Sequence, residues 1–135
     1  MGQQQLLLIV LGVIIVGIAV VVGINVFTAS STNANRDAVI ADLTTLAAMS
    51  QQHYRKPVAM GGGGNTFNKG GKSGSGFEIP SSLKSNDNGA YTATPSANSI
   101  TLVGTGKEIG EDNSTVVKVT MVVAPDSITS TTINN

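Results

Sequence analysis

The chain has 135 residues, with eight basic and eight acidic side chains, one histidine and no cysteine. A formal charge of zero and a pI near 6.5 leave no sustained basic stripe, which argues against nucleic-acid binding as a main task, and no disulfide can staple the fold. The charge is unevenly spread: Arg55, Lys56, Lys69 and Lys72 stand in a window without acids between Leu43 and Phe77, whereas six acids and three lysines follow from Glu78 onward.

From Met1 to Asn35 there is no ionisable side chain, and Leu6 to Ile24 is almost wholly Leu, Ile, Val, Ala and Gly. Such a segment cannot face water in a small soluble domain, so it must lie in a bilayer or against copies of itself. Four readings compete. A secretory signal needs a positive n-region, and Met1-Gly2-Gln3-Gln4-Gln5 has none. A membrane anchor fits, because 19 residues at about 1.5 Å each span about 28 Å, but the flanks lack Lys, Arg, Trp and Tyr anchors. A core helix of a soluble domain fails, because the roughly 80 residues after His53 are too few to cover it. The fourth reading is a helix that passes from a membrane into a helical polymer, where neighbouring stems replace the lipid.

No proline follows Ile24 until Pro57, and the pattern passes through polar Asn25, Thr28, Ser30, Ser31, Thr32, Asn33 and Asn35 into an amphipathic stretch. Val39, Leu43, Leu46, Ala47, Ser50 and Tyr54 fall at three- and four-residue spacings on one face. The spacing predicts a helix over 1–56, with an apolar half over 1–27 and an amphipathic half over 28–56. Its face of Val39, Leu43, Leu46 and Tyr54 is expected to pack on a small sheet. Asn33 and Asn35 are candidate caps for a second helix start; without one, a single rod of some fifty residues is about 75 Å long. Gly12, Gly17 and Gly23 each cost about 1 kcal/mol relative to alanine, so local unwinding between Gly17 and Gly23 is a further expectation.

Pro57 stops the helix, and 57–79 reads as a Gly- and Ser-rich loop whose stretch Gly61 to Gly76 has almost no apolar content beyond Phe67. Within it Gly71-Lys72-Ser73 imitates the end of a phosphate-binding loop, but Thr66 stands where that motif needs its first glycine. Residues 80–135 read as a small antiparallel β domain. Ala90 to Thr94, Ser99 to Thr105 and Thr115 to Ala124 are expected strands of a meander, and Ser127 to Asn135 is a candidate fourth. Gly104 to Gly110 reads as strand end and turn. Val117, Val119, Met121 and Val123 alternate with Val116, Lys118, Thr120 and Val122, so one face should meet the helix. The fold class is therefore α+β: a long N-terminal hydrophobic helix packed on an antiparallel sheet of three to four strands.

Candidate chemistry is thin. His53, the sole histidine, reads as a surface or capping residue at a helix end. Glu108, Glu111, Asp112 and Asn113 read as a solvated turn, since their spacing matches no EF-hand loop. Asn113-Ser114-Thr115 is an N-glycosylation acceptor pattern, which makes Asn113 a candidate modification site. The expectation is a non-enzyme without catalytic, cofactor or metal site, because one His, no Cys and no convergent acid pair leave little to build with.

The layout of apolar stem, amphipathic second half and small Gly- and Ser-rich β region resembles a mature type IV pilin or a related pseudopilin. The resemblance rests on the run Leu6 to Ile24, followed by Arg36-Asp37-Ala38-Val39-Ile40-Ala41-Asp42-Leu43 and on to Leu46 and Tyr54. It implies a subunit that polymerises through its stem into an extracellular filament on the cell surface, with the inner or cytoplasmic membrane as its station before assembly. Leu6, Leu7, Leu8, Ile9, Leu11, Ile14, Ile15, Ile18, Val21 and Ile24 would form the filament core. The implied partners are identical subunits, an inner-membrane assembly machinery and a prepilin peptidase. Alternatives are a pseudopilin of a type II-like secretion system and a membrane-anchored extracellular binding domain. Two departures stand out. The family's glutamate at the fifth mature residue is Gln5 if Met1 is the first residue, or Leu7 if Met1-Gly2 is a leader; the reading taken is that Met1 is present and Gln5 makes an uncharged N-terminal polar contact. The stem also lacks the mid-helix proline of many bacterial pilins.

Overall fold

The computed structural model describes residues 2–68 and 76–135. Met1, and with it the leader reading of Met1-Gly2, and the stretch 69–75, including Gly71-Lys72-Ser73, lie outside the described residues. The chain divides into two compact units, Met1–Ser31 and Thr32–Asn135.

Helix α1 (Gly2–Arg55) is unbroken. Neither Asn33 nor Asn35 caps a second start, and the stretch from Gly17 to Gly23 keeps its helical turns. In the polar middle Thr28 bonds back to its own helix, its Oγ1 donating to the Ile24 carbonyl at 2.9 Å. Pro57, without an N–H, ends the helix, and the next residues return to satisfy its last carbonyls. The Gly63 and Asn65 N–H groups donate to the carbonyls of His53 and Tyr54, both at 2.8 Å. Gly63 is required there, because a Cβ would collide with the Thr66 carbonyl.

The sheet is an antiparallel meander of β1 (Gly89–Pro95), β2 (Ile100–Ile109), β3 (Val116–Val123) and β4 (Ile128–Ile133), in spatial order β1-β2-β3-β4. Its register sets Tyr91 opposite Gly104, Leu102 opposite Met121 and Met121 opposite Thr131. Strand β2 runs through residues expected to turn, and α1 supplies the reason. Asn35 Oδ1 accepts the N–H groups of Lys107 at 3.1 Å and Glu108 at 3.3 Å, which holds the strand extended past Thr105. Asn35 fits because residue 106 is glycine; any side chain there would strike its amide oxygen. The register shift between Thr105 and Ile109 accommodates this contact.

The core lies between α1 and one face of the sheet. Val39, Leu43, Leu46 and Ala47 pack with Tyr91, Ile100, Leu102, Val117, Val119, Met121 and Val123. Phe67, Phe77 and Ile79 complete it, so the segment 57–79 supplies three buried apolar side chains and a 3₁₀ turn at Val58–Met60 besides its glycine turns. Tyr54 sits at the margin of this core with its ring centroid 4.8 Å from that of Phe67, so its aromatic partner comes from that segment and not from the sheet.

Leu43 is fully buried and Thr44 beside it is exposed. Leu43→Ala should therefore destabilise the fold by about 2–5 kcal/mol, while Thr44→Ala stays within about 0.5 kcal/mol, as measured by urea unfolding of the full chain in detergent.

Candidate functional site

The first unit is a surface without a covering. Every described residue from Gly2 to Ser30 is exposed, and the large apolar side chains from Leu6 to Phe27 are each 53–74% accessible. At 3.6 residues per turn, Leu6, Leu7, Leu8 and Ile9 already encircle the helix. Leu11, Ile14, Ile15, Ile18, Val21 and Ile24 continue the apolar surface on all sides, so no polar stripe is left to face water. Gln5 is exposed in a first turn that carries no acid. By length and composition this helix can cross a membrane.

The second unit holds its part of α1 with polar contacts along both flanks of the apolar face. Thr32 Oγ1 donates to the Ile109 carbonyl at 2.7 Å, Asn35 Nδ2 to the Asn88 carbonyl at 2.9 Å, and Gln51 Nε2 to the Ala124 carbonyl at 3.2 Å. Arg36 pairs with Glu111 at 3.2 Å, but the glutamate is mostly exposed and the pair adds little.

The densest polar cluster centres on Asp42, which the sequence pattern placed only as a residue beside Leu43. One carboxylate oxygen accepts the Tyr91 hydroxyl at 2.5 Å, Asn86 Nδ2 at 2.9 Å and Asn88 Nδ2 at 3.0 Å. Asn86 Oδ1 in turn accepts the N–H groups of Asn88 and Gly89, so the turn Asn86-Asp87-Asn88-Gly89 is shaped to aim two amides at α1. Burial works against the charge on Asp42, but the bonds from Asn88, Tyr91 and Asn86 outweigh it and hold the carboxyl below its ordinary range. Burial and the facing carboxylate push the Tyr91 phenol far up. With its donors consumed by the fold, this cluster is a latch between α1 and β1.

The acidic turn after β2 is likewise spent on its own backbone. Asp112 Oδ1 accepts the N–H groups of Ser114 at 3.0 Å and Thr115 at 2.9 Å, while Oδ2 takes both their hydroxyls. The backbone bonds from Thr115 and Ser114 dominate in holding the Asp112 carboxyl well below the usual range. Asn113 stands exposed at the apex with φ 55°. Among the described residues no group of three or more His, Cys, Asp or Glu side chains is placed to hold a metal. His53 is half-buried, its ring edge-on to Phe77 at 5.7 Å, beside an open groove of about 580 Å³ lined by Gln52, Arg55, Lys56 and Glu78. No family model matches the chain, and no curated protein or solved structure is significantly similar to it.

The Asp42 latch makes stability depend on pH with a defined sign. A carboxyl held below its ordinary value of 3.8 contributes stability that is complete above that value and is lost as pH falls through the folded one. Asp42→Asn should lower stability at pH 7 and flatten the loss below about pH 4, leaving the share due to Asp112. Tyr91→Phe should cost about 1.5–3 kcal/mol at pH 7, since it removes a bond to a charged group. Urea midpoints measured across pH 2–8 check both outcomes.

Proposed function

We propose that this chain is a structural subunit that polymerises through its N-terminal helix into an extracellular pilus-like filament. The observation that carries the reading is the contrast between the two units. Residues 32–135 bury an ordinary core around Leu43, Leu102 and Val119, while Leu6 to Phe27 expose large apolar side chains on all sides. Fully burying one such side chain is worth about 1.5–3 kcal/mol, so the stem is driven into lipid or into contact with other stems.

Before assembly the stem would stand in the inner or cytoplasmic membrane; a prepilin peptidase and a membrane assembly machinery would process and lift it. In the filament Leu6, Leu7, Leu8, Ile9, Leu11, Ile14, Ile15, Ile18, Val21 and Ile24 of adjacent copies would exclude water and lipid together. The gain over the bilayer is closer packing, since lipid tails are as apolar as leucine. Gly12, Gly17 and Gly23 favour this, because open space surrounds the position of a Cβ at each and neighbouring helices can approach. Gln5 would supply a neutral hydrogen-bond acceptor at the stem's start. The role is structural rather than catalytic.

The alternative is a stem that only tethers a binding domain or serves a short secretion pseudopilus, and it draws on the same span-length helix. Shearing intact cells and imaging the released material decides between them. Abundant thin fibres whose protein retains Leu6 to Ile24 are expected, and Ile15→Lys should abolish them while the Tyr91 and Leu43 core still forms. Normal filaments from the Ile15→Lys variant, or protein found only in the membrane fraction, would sink the proposal.

A further inference from the structure

The two edges of the sheet are built differently. At the β1 edge Ser85 bridges Ala90, the Lys84 carbonyl accepts the Tyr91 N–H at 2.8 Å, and the strand closes with Pro95, which has no N–H to offer. These features blunt an edge against further pairing. The β4 edge has none of them. Among the described residues no backbone group outside β3 bonds to β4, every residue of the strand is exposed, and Ser127 to Asn135 holds neither proline nor an ionisable side chain.

The apolar face of the sheet also stays open there. Ile128 and Ile133 stand opposite Val123 and Val119 on the core side, yet they are 42% and 49% exposed while both valines are fully buried. The rim beyond them has a definite pattern. The Asn134 N–H donates to the Lys118 carbonyl at 2.8 Å, so the alternation of an antiparallel ladder turns Thr132 and Ser130 towards β3, and Thr131 and Ile133 outward.

We propose that β4 pairs antiparallel with β4 of a second copy about a two-fold axis at Thr131, which joins two four-stranded sheets into one. Thr131 then meets its own equivalent as a hydrogen-bonded pair, and Ile133 lies opposite the second copy's Thr129. The rim is self-complementary: it offers the same donors and acceptors in both directions and carries no charge to repel its copy. A lipid surface would cover the isoleucines but leave the outward N–H groups without partners, whereas a second β4 serves both.

The axis lies perpendicular to the sheet, so it reverses the direction of the Thr32–Arg55 part of α1 between the two copies. Neighbours along one polar filament cannot be related in this way. The contact therefore joins subunits of different filaments, and in this it rests on the filament reading above. A single six-residue pair falls well short of the roughly 800 Å² per partner of a stable interface, but repeated along two filaments it gains by multivalency.

The natural absence of cysteine gives a clean test. In a hydrogen-bonded antiparallel pair the Cα atoms stand about 5.5 Å apart, inside the range a disulfide bridges. Sheared filaments of the full chain carrying Thr131→Cys should convert to covalent dimers under mild oxidant at least tenfold more than filaments carrying Thr94→Cys on β1. Unmodified filaments should lie side by side in electron micrographs, and Thr131→Lys should separate them. Filaments that run singly, with Thr131→Cys no more cross-linked than Thr94→Cys, would overturn β4 pairing while leaving the filament intact. No filaments from the unmodified chain would overturn both.

Discussion

Taking Leu6, Leu8, Ile14 or Ile18 out of water is worth about 1.5–3 kcal/mol each, and each stands more than half exposed. A few such side chains already match the roughly 5–15 kcal/mol that stabilises a whole domain. The first unit is thus a constraint on everything else: its apolar surface needs a covering that the described residues do not supply. The rest of the sequence is consistent with that demand. From Leu6 to Ile24 no charged or polar side chain resists entry into a low-dielectric environment.

The second unit has to stay folded next to such a stem with a modest core and no disulfide, and it does so by tying one helix face to the sheet in two ways. Apolar burial centres on Leu43, Leu46, Leu102 and Val119, and polar contacts line the flanks of that face. Asn35, Asp42 and Gln51 each reach a different part of the β region: the extended end of β2, the turn before β1, and the exit from β3. Burial alone would allow α1 to slide or roll over the sheet. Directional bonds at three places leave one position. The latch at Asp42 costs desolvation, which three converging donors offset.

The long helix and the strands were legible because periodicity is a local property. Leu43, Leu46 and Val39 recur at helical spacing, and Val117 to Val123 alternate, so both faces can be named before any contact is known. Contacts between distant segments were not legible. Phe77 and Ile79 look like strays beside a glycine-rich run, and only the fold shows that they join the buried core that also holds Tyr91 and Leu46. Strand β2 outruns its expected end because an asparagine far earlier in the chain captures two of its N–H groups, a bond that no local propensity encodes. The Asp42 cluster left one faint trace: a charged residue next to the apolar face of α1, and a turn unusually rich in asparagine. As for the candidate site itself, the apolar run was plain in the sequence, but the bareness of the β4 edge depends on which strand lies outermost.

A stem without charge raises a question of register. In an assembly of stems, a carboxylate facing an ammonium group would mark one axial position above all others, because a misplaced buried charge is costly. Gln5 carries no charge to set against an ammonium group, and beyond it every side chain to Ile24 offers dispersion contacts that change little when one helix shifts along another. What remains to fix position is shape. Gly12, Gly17 and Gly23 leave recesses between bulky neighbours, spaced five and six residues apart, and a facing Leu or Ile fits them only at certain offsets. Shape alone discriminates weakly, so the folded unit that follows Thr32 must carry much of the axial and angular specificity in the proposed filament. Its rigidity then has a function beyond its own stability: the bonds that stop the Thr32–Arg55 part of α1 from sliding on the sheet also keep the outer surfaces of this unit in one fixed arrangement for its neighbours to meet.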